Sequence, residues 1–523
     1  SRVAPVVLLA EDVKEFKLSY GPEELRRDKR NFLQANGRGG LMWMPVEPGE
    51  LRSRYDAVLL GNLNPDYPVN RHIMLRRFRM WAVHHARIQA FSIDCLKEFH
   101  IAGNGGGVWE YELPVGNGMF VEIRVKQEIL YDENAVMLTL SRTSCEGKSR
   151  RLCDDTPVKI IIRPDIEDRS FHEETKASMG PERYWPGLVR NSEYGFEFHP
   201  APDRILSVSA SKGRFQRDDE WTYMIWQEKE ASRGLEPNSD LFSPGYFSVQ
   251  LAGSEALYIA GQMLTSPDAP KIPPAMVSEA AFDRKRDTSV ENTMLTALSQ
   301  FIVKRGDLKT VIAGYPWFLD WGRDTLIAAR GLIAAPEFRS HVKAILLQFA
   351  SYAQNGTIPN MIFGGNADNR DTSDAQLWLF TACRDLCLAE GGYDFLRERV
   401  KSGKTLLETL VSLAEGLLAG TPNGITVDPD SMLVFSPSHF TWMDTNYPAG
   451  TPRQGYPVEI QALWFAALRF LSEALGSEPG ARWKTRSLRV AESIAKYYVS
   501  PERDYLSDCL HCDPGVPAAE AVP

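Results

Sequence analysis

Two carboxylates, Asp444 and Glu459, stand in the stretch HFTWMDTNYPAGTPRQGYPVEIQALW (439–464), separated by three prolines, two glycines and an arginine. Asp444 follows Phe440, Thr441, Trp442 and Met443. Apolar neighbours penalise a carboxylate's charge and raise its pKa, which suits a general acid near neutral pH. Glu459 follows Pro457 and Val458 at a helix start, where the helix dipole favours any acid. It fits helix capping as readily as chemistry.

Two further stretches have the same loop-then-helix layout. AGYPWFLDWGRDTLIAARGL (313–332) crowds Tyr315, Trp317, Phe318 and Trp321 with Asp320, Arg323 and Asp324 ahead of a helix. A purely structural reading has Asp324 cap that helix and Arg323 balance Asp320. It leaves the four loop aromatics unexplained, and clustered loop aromatics usually face a ligand or partner. Sugar rings stack on such faces, while an Arg–Asp pair donates to and accepts from hydroxyls. GTIPNMIFGGNADNRDTSDAQLWLF (356–380) sets Asn360, Asn366, Asn369, Arg370, Asp371 and Asp374 before a helix expected from near Asp371, with Trp378 one turn in. A capped helix after a polar loop explains this stretch as well as a site does.

The elements that must carry these loops change along the chain. In the first half apolar and polar residues alternate, as in FVEIRVKQEILY, AVMLTLSRT and VKIIIRPD, with GNGGG (103–107) and VGNGM (115–119) as turns. RILSVSASKG, EWTYMIWQEKE and YFSVQLAGSEALYIAG continue the series. Many strands spaced by turns, without alternating helices, predict a large antiparallel β-sandwich over 1–265. The proline-rich SPDAPKIPPAM opens a linker and lead-in over 266–290. From 291 to 523 the period is helical, with seven helices expected, among them 292–306, 396–420 and 457–475.

Composition narrows the partners. At 523 residues, 43% hydrophobic and 24% charged, the chain is an ordinary globular protein of more than one domain. A net charge of −9 and a pI near 5.7 argue against nucleic acid and suit a neutral ligand. Seven cysteines, an odd count, argue against a disulfide framework and fit a cytoplasmic location. No apolar run approaches the ~20 residues that span a bilayer, so no membrane partner is expected. The N-terminal apolar patch lacks a signal-peptide layout, and the missing initiator Met points to a start further upstream.

Several motifs are decoys. Gly147-Lys148-Ser149 and Gly403-Lys404-Thr405 lack the upstream glycine of a phosphate loop, and the second is expected inside a helix. GNGGG precedes a strand rather than a helix. His84-His85 has no acidic neighbour. Cys509-Leu-His-Cys512 is half a zinc pattern without a second half, so no metal is expected.

WGRD and its aromatic loop, together with FTWMDTNYPAGTPRQGYPVEIQALW, resemble the glycogen-debranching amylo-α-1,6-glucosidase family, sharply over roughly 310–470. NFLQANGRGGL and SRYDAVLLGNLNP more loosely resemble that family's sandwich domain. The resemblance implies a β-sandwich followed by an (α/α)6 barrel, as in the related glucoamylases. It implies hydrolysis, with inversion and no cofactor, of the α-1,6-linked glucose stub at a trimmed branch of glycogen or another α-glucan. In that reading Asp444 is the general acid. Arg323 and Asp324 hold hydroxyls of the terminal glucose, Trp321 and Trp442 bind its faces, and Asp374, Arg453 and Glu459 line the same pocket.

An inverting glycosidase also needs a general base, expected in the last helices of the barrel. About seven helices stand where the barrel needs twelve, and the sequence stops at GVPAAEAVP. The expectation is therefore a fragment lacking the base, able to bind sugar without necessarily hydrolysing it. Three rivals share the layout: another inverting α-glucosidase, a glycoside phosphorylase, and a non-catalytic α-glucan-binding protein. No basic cluster near the motifs suggests a phosphate site, and a decayed site has no reason to keep Asp444.

Overall fold

The alternating half folds into two antiparallel sheets. The structure is a computed structural model that describes residues 17–103, 105–147, 149–274, 289–445, 450–499 and 505–523. Most of the expected linker, 275–288, lies outside them. The nine-stranded sheet runs Ser19–Tyr20, Leu96–Ile101, Gly107–Gly116, Met119–Ile129, Ala135–Arg142, Ala256–Leu264, Arg204–Ala210, Gly195–Ala201 and Val189–Ser192. The eight-stranded sheet runs Arg214–Trp226, Asn238–Leu251, Val158–Ser170, Arg71–His84, Ala57–Asn62, Leu41–Pro45 and Asn31–Ala35. Its remaining strand, Arg87–Ala90, also pairs with Arg71–His84.

Period-two patterning explains the packing. In Met119–Ile129, Val121, Ile123 and Val125 are buried while Glu122 and Arg124 are partly exposed. Each such buried side chain contributes roughly 1.5–3 kcal/mol. Leu59, Leu75, Ile162 and Phe247 of one sheet join Val125, Leu138, Phe196 and Ile259 of the other in one continuous core. This is the expected sandwich.

The chain divides into two compact units between Gln300 and Phe301. The second holds α1 (Gly322–Ile333), α2 (Arg339–Ala350), α3 (Ala375–Glu390), α4 (Leu406–Ala419), α5 (Val458–Leu475) and α6 (Ala481–Tyr497). With Val290–Ser299, these are seven helices among the described residues of the second half. Helices α1, α3 and α5 pack side by side; α2 lies against α1 and α3, α4 against α2 and α5, and α6 against α5. The loop before α3 crosses α4 where two glycines meet, since a Cβ on Gly416 would stand 2.3 Å from the Gly356 nitrogen. None of the described helices is long and apolar enough to cross a membrane.

Three boundaries differ from the sequence reading. The helix expected over 292–306 ends at Ser299, and Ile302–Arg305 pairs with Leu308–Val311 as a hairpin, as β-branched residues around a Gly306 turn favour. The helix expected from Leu396 starts at Leu406, because Thr405 caps it in a reciprocal capping box with Glu408. Gly403-Lys404-Thr405 is thus a turn and cap, not mid-helix. The helix expected near Asp371 begins at Ala375.

Candidate active site

The loops entering α1, α3 and α5 carry the chemical residues, and the chain ties them to one another. Gly322, first residue of α1, donates its N–H to Asn360 O at 2.7 Å, and Trp321 bridges to Met361. A Cβ at Gly322 would stand 2.3 Å from Pro359 O, so only glycine allows this approach. Ser373, just before α3, donates its N–H to Phe440 O at 2.8 Å, and its Oγ lies 2.7 Å from Ser436 Oγ. Ser436 in turn bridges to Gly455, two residues from Arg453.

Arg323 is the hub. Its buried guanidinium donates through Nε to Asp374 Oδ2 and Oδ1 at 2.7 and 2.9 Å, and through Nη1 to Asp444 Oδ2 at 2.7 Å. Nη2 reaches Thr441 O at 3.0 Å. Burial opposes the charge, but Asp374 and then Asp444 outweigh it and hold the guanidinium's pKa up. Thr372 Oγ1 donates to Asp374 Oδ1 at 2.7 Å and fixes that carboxylate from the other side.

Asp320, which the purely structural reading pairs with Arg323, belongs elsewhere: it is buried 3.4 Å from Arg305. Asp324 does not cap α1 with its side chain, although its place in the first turn suits the dipole. Its side chain is exposed at the surface but stands among enough protein that partial desolvation raises its pKa. The charges of Asp444 and Asp374 add to the rise, against a backbone N–H and Arg323. One arginine therefore meets three carboxylates, and the cluster carries excess negative charge. Asp444, read as surrounded by apolar side chains, is instead half-exposed and paired with a cation.

Arg453 makes a second hub. Its buried guanidinium donates to Glu459 Oε2 at 2.7 Å and also to Oε1, and to Asp508 Oδ1 and Oδ2 at 2.9 Å each. Burial opposes its charge, but Glu459 and Asp508 raise its pKa above the ordinary range. Its Nη1 also lies 3.3 Å from Thr441 Oγ1, so Thr441 touches both arginines. Sequence reading missed Asp508. The strand Cys509–His511, paired with Gly455–Pro457, delivers it, and nothing local to Asp508 marks that pairing. Cys509, from the half zinc pattern, is buried in this strand, and burial pushes its thiol up to about 12.

The aromatics divide. Tyr315 is core, its ring centroid 5.4 Å from that of Phe301. Trp317, Phe318 and Trp442 are exposed, and Trp321 is partly so. Arg370 holds the loop, donating to Tyr352 O at 2.9 Å and Thr357 O at 3.1 Å.

The chain thus contains an antiparallel sandwich unit and a helical unit whose loop–helix junctions carry arginine-bridged carboxylates. Two family models then match most of the chain: "Glycogen debranching enzyme N terminal" over residues 30–258 and "Amylo-alpha-1,6-glucosidase" over 296–516. The chain belongs to the glycogen debranching enzyme family. It is 25% identical over 232 residues to the glycogen debranching enzyme of Saccharomyces cerevisiae, a match covering 34% of this chain and 15% of the yeast protein. The chain thus spans a small part of that relative's length. A crystal structure of a bacterial glucoamylase complexed with acarbose aligns with a TM-score of 0.44 and 12% identity, covering 90% of this chain and 70% of that one.

Proposed function

We propose that this chain is the debranching glucosidase part of a glycoside hydrolase that removes α-1,6-linked glucose from glycogen or a related α-glucan, with inversion. The observation that carries the reading is the Arg323 hub, which joins WGRD, Asp374 and the TWMD carboxylate into one cluster. Only one oxygen of Asp444 is engaged among the described residues. Oδ1 is available to the glycosidic oxygen. Asp444 would protonate that oxygen as the bond to C1 breaks, and water would add to C1 from the opposite face, losing its proton to a base. The excess negative charge around Arg323 favours the positive charge that develops on the sugar ring. Arg323, Asp324, Asp374, Arg453 and Glu459 would bind hydroxyls, with Trp321 and Trp442 as stacking faces.

In this reading 1–265 is the sandwich domain, 266–290 the lead-in and 291–523 the catalytic domain of a cytoplasmic enzyme. The hairpins α1–α2, α3–α4 and α5–α6 are three of the six in an (α/α)6 toroid. Side-by-side packing of α1, α3 and α5 supports an inner row whose entry loops form the site. The base is expected on a hairpin other than these three.

The test is release of free glucose from glycogen limit dextrin, by this chain and by a form extended through the whole helical domain. The extended form is expected to release glucose, and Asp444→Asn to lower the rate by about 100-fold or more. Full activity in Asp444→Asn overturns the acid assignment. Sugar binding without release by the extended form favours a non-catalytic binding protein.

A further inference from the structure

The two guanidinium hubs share no carboxylate: Arg323 takes Asp374 and Asp444, while Arg453 takes Glu459 and Asp508. Among the described residues they share Thr441, which is fully buried. Thr441 O accepts from Arg323 Nη2 at 3.0 Å, and Thr441 Oγ1 accepts from Arg453 Nη1 at 3.3 Å. Arg323 also holds Asp444 through Nη1. One guanidinium therefore grips both ends of the segment from Thr441 to Asp444, and the Thr441 hydroxyl ties that segment to the other.

A purely local role for the hydroxyl is to close a turn. Thr441 Oγ1 accepts the Met443 N–H at 3.3 Å, a bond that threonines make in many loops. That turn needs nothing from Arg453, which lies 12 residues along the chain. Nor does Arg453 need the hydroxyl for its charge, since both oxygens of Glu459 and both of Asp508 already accept from it. What the contact adds is a mechanical link. A guanidinium is a rigid planar fork, so any turn of Arg453 that follows its carboxylates carries Nη1 with it. A β-branched side chain is stiff at χ1, so a pull on Oγ1 passes to the backbone of Thr441.

We propose that the Thr441 hydroxyl is a positioning group that couples the Arg453 hub to the Arg323 hub, so that sugar hydroxyls held by Arg453 and Glu459 help to set where Asp444 Oδ1 stands. The catalytic half of this inference rests on the glycosidase reading; the coupling itself does not. Proton transfer tolerates little misplacement, and about 1 Å can cost on the order of 100-fold in rate. Contacts made at the Arg453 hub then act on kcat through Thr441 as well as on KM.

The Nε–H NMR signal of Arg323, in the chain carrying isotope-labelled arginine and assigned by its loss in Arg323→Lys, reads the coupling without any activity. Asp508→Asn is expected to move that signal in the otherwise wild-type chain and to leave it in place once Thr441→Val is added. In the extended form acting on glycogen limit dextrin, Thr441→Val is expected to lower kcat about ten-fold while KM changes less than about two-fold. Thr441→Ser, which keeps the oxygen, is expected to restore kcat. Thr441→Ala serves in both arms should Thr441→Val not fold. An Arg323 signal that answers Asp508→Asn equally with and without the hydroxyl overturns the proposal. So does an unchanged kcat in Thr441→Val, or a loss in Thr441→Ser equal to that in Thr441→Val. No glucose release from the extended wild type would fail the glycosidase reading instead, and the Arg323 signal would still decide the coupling.

Discussion

Arg323 Nη1 and Asp444 Oδ2 meet at 2.7 Å although 121 residues separate them in the chain. The same guanidinium holds Asp374, so three entry loops of the helical unit share one cation. A charge network of this kind makes binding geometry and local stability hard to alter separately.

Asp374 bears most directly on stability. It and Arg323 are both buried, and removing one partner strands the other. Asp374→Ala is expected to cost about 3–5 kcal/mol in denaturant unfolding of the helical unit. A loss below about 1 kcal/mol would mean that Asp444 alone satisfies the arginine.

Asp324 gives a pH signature. Its carboxyl pKa is raised in the folded chain above the ordinary 3.8, chiefly by desolvation. The folded state therefore holds the proton to higher pH than the unfolded state. The contribution is favourable below the unfolded value and is lost as pH rises through the folded one. Asp324→Asn, which cannot ionise, should melt higher than wild type at pH 7 and at the same temperature near pH 3. A difference that does not change between those two pH values would contradict the assignment.

Asp508 should act on binding rather than folding. It orients Arg453 from an exposed position, so its ion pair is screened. Under the glycosidase reading, Asp508→Asn is expected to raise KM about five-fold, on the order of 1 kcal/mol, with a smaller change in kcat and little change in melting temperature. An equal fall in kcat and kcat/KM would instead mark a group that acts only in the transition state.

Gly322 tests the approach of α1 to its neighbouring loop. Gly322→Ala sets a methyl 2.3 Å from Pro359 O and should cost about 1–3 kcal/mol by overpacking. Under the glycosidase reading, sugar affinity should fall with it, because Arg323 is the next residue. Calorimetric melting and sugar titration of the same variant read both effects.

Much of this was legible in the residues. Alternation in Met119–Ile129 gave a strand, and caps such as Thr405 with Glu408 set helix starts, though the second was recognised only in the structure. WGRD and TWMD carried the resemblance to the family and pointed to Arg323, Asp324 and Asp444, the stretch 356–380 supplied Asp374, and the fold brings these residues together. The purely structural alternative, in which Arg323 balances Asp320, fails because Asp320 lies three residues from Arg323 yet pairs with Arg305.

Local order along the chain determined the elements, because side-chain period and capping act within one or two turns of the residue concerned. Tertiary structure alone decided which charge meets which. A buried guanidinium takes the carboxylates that the folded chain brings within about 3 Å, whatever their sequence distance. That choice gave Arg323 to Asp374 and Asp444, brought Asp508 to Arg453, and left Thr441 between the two arginines.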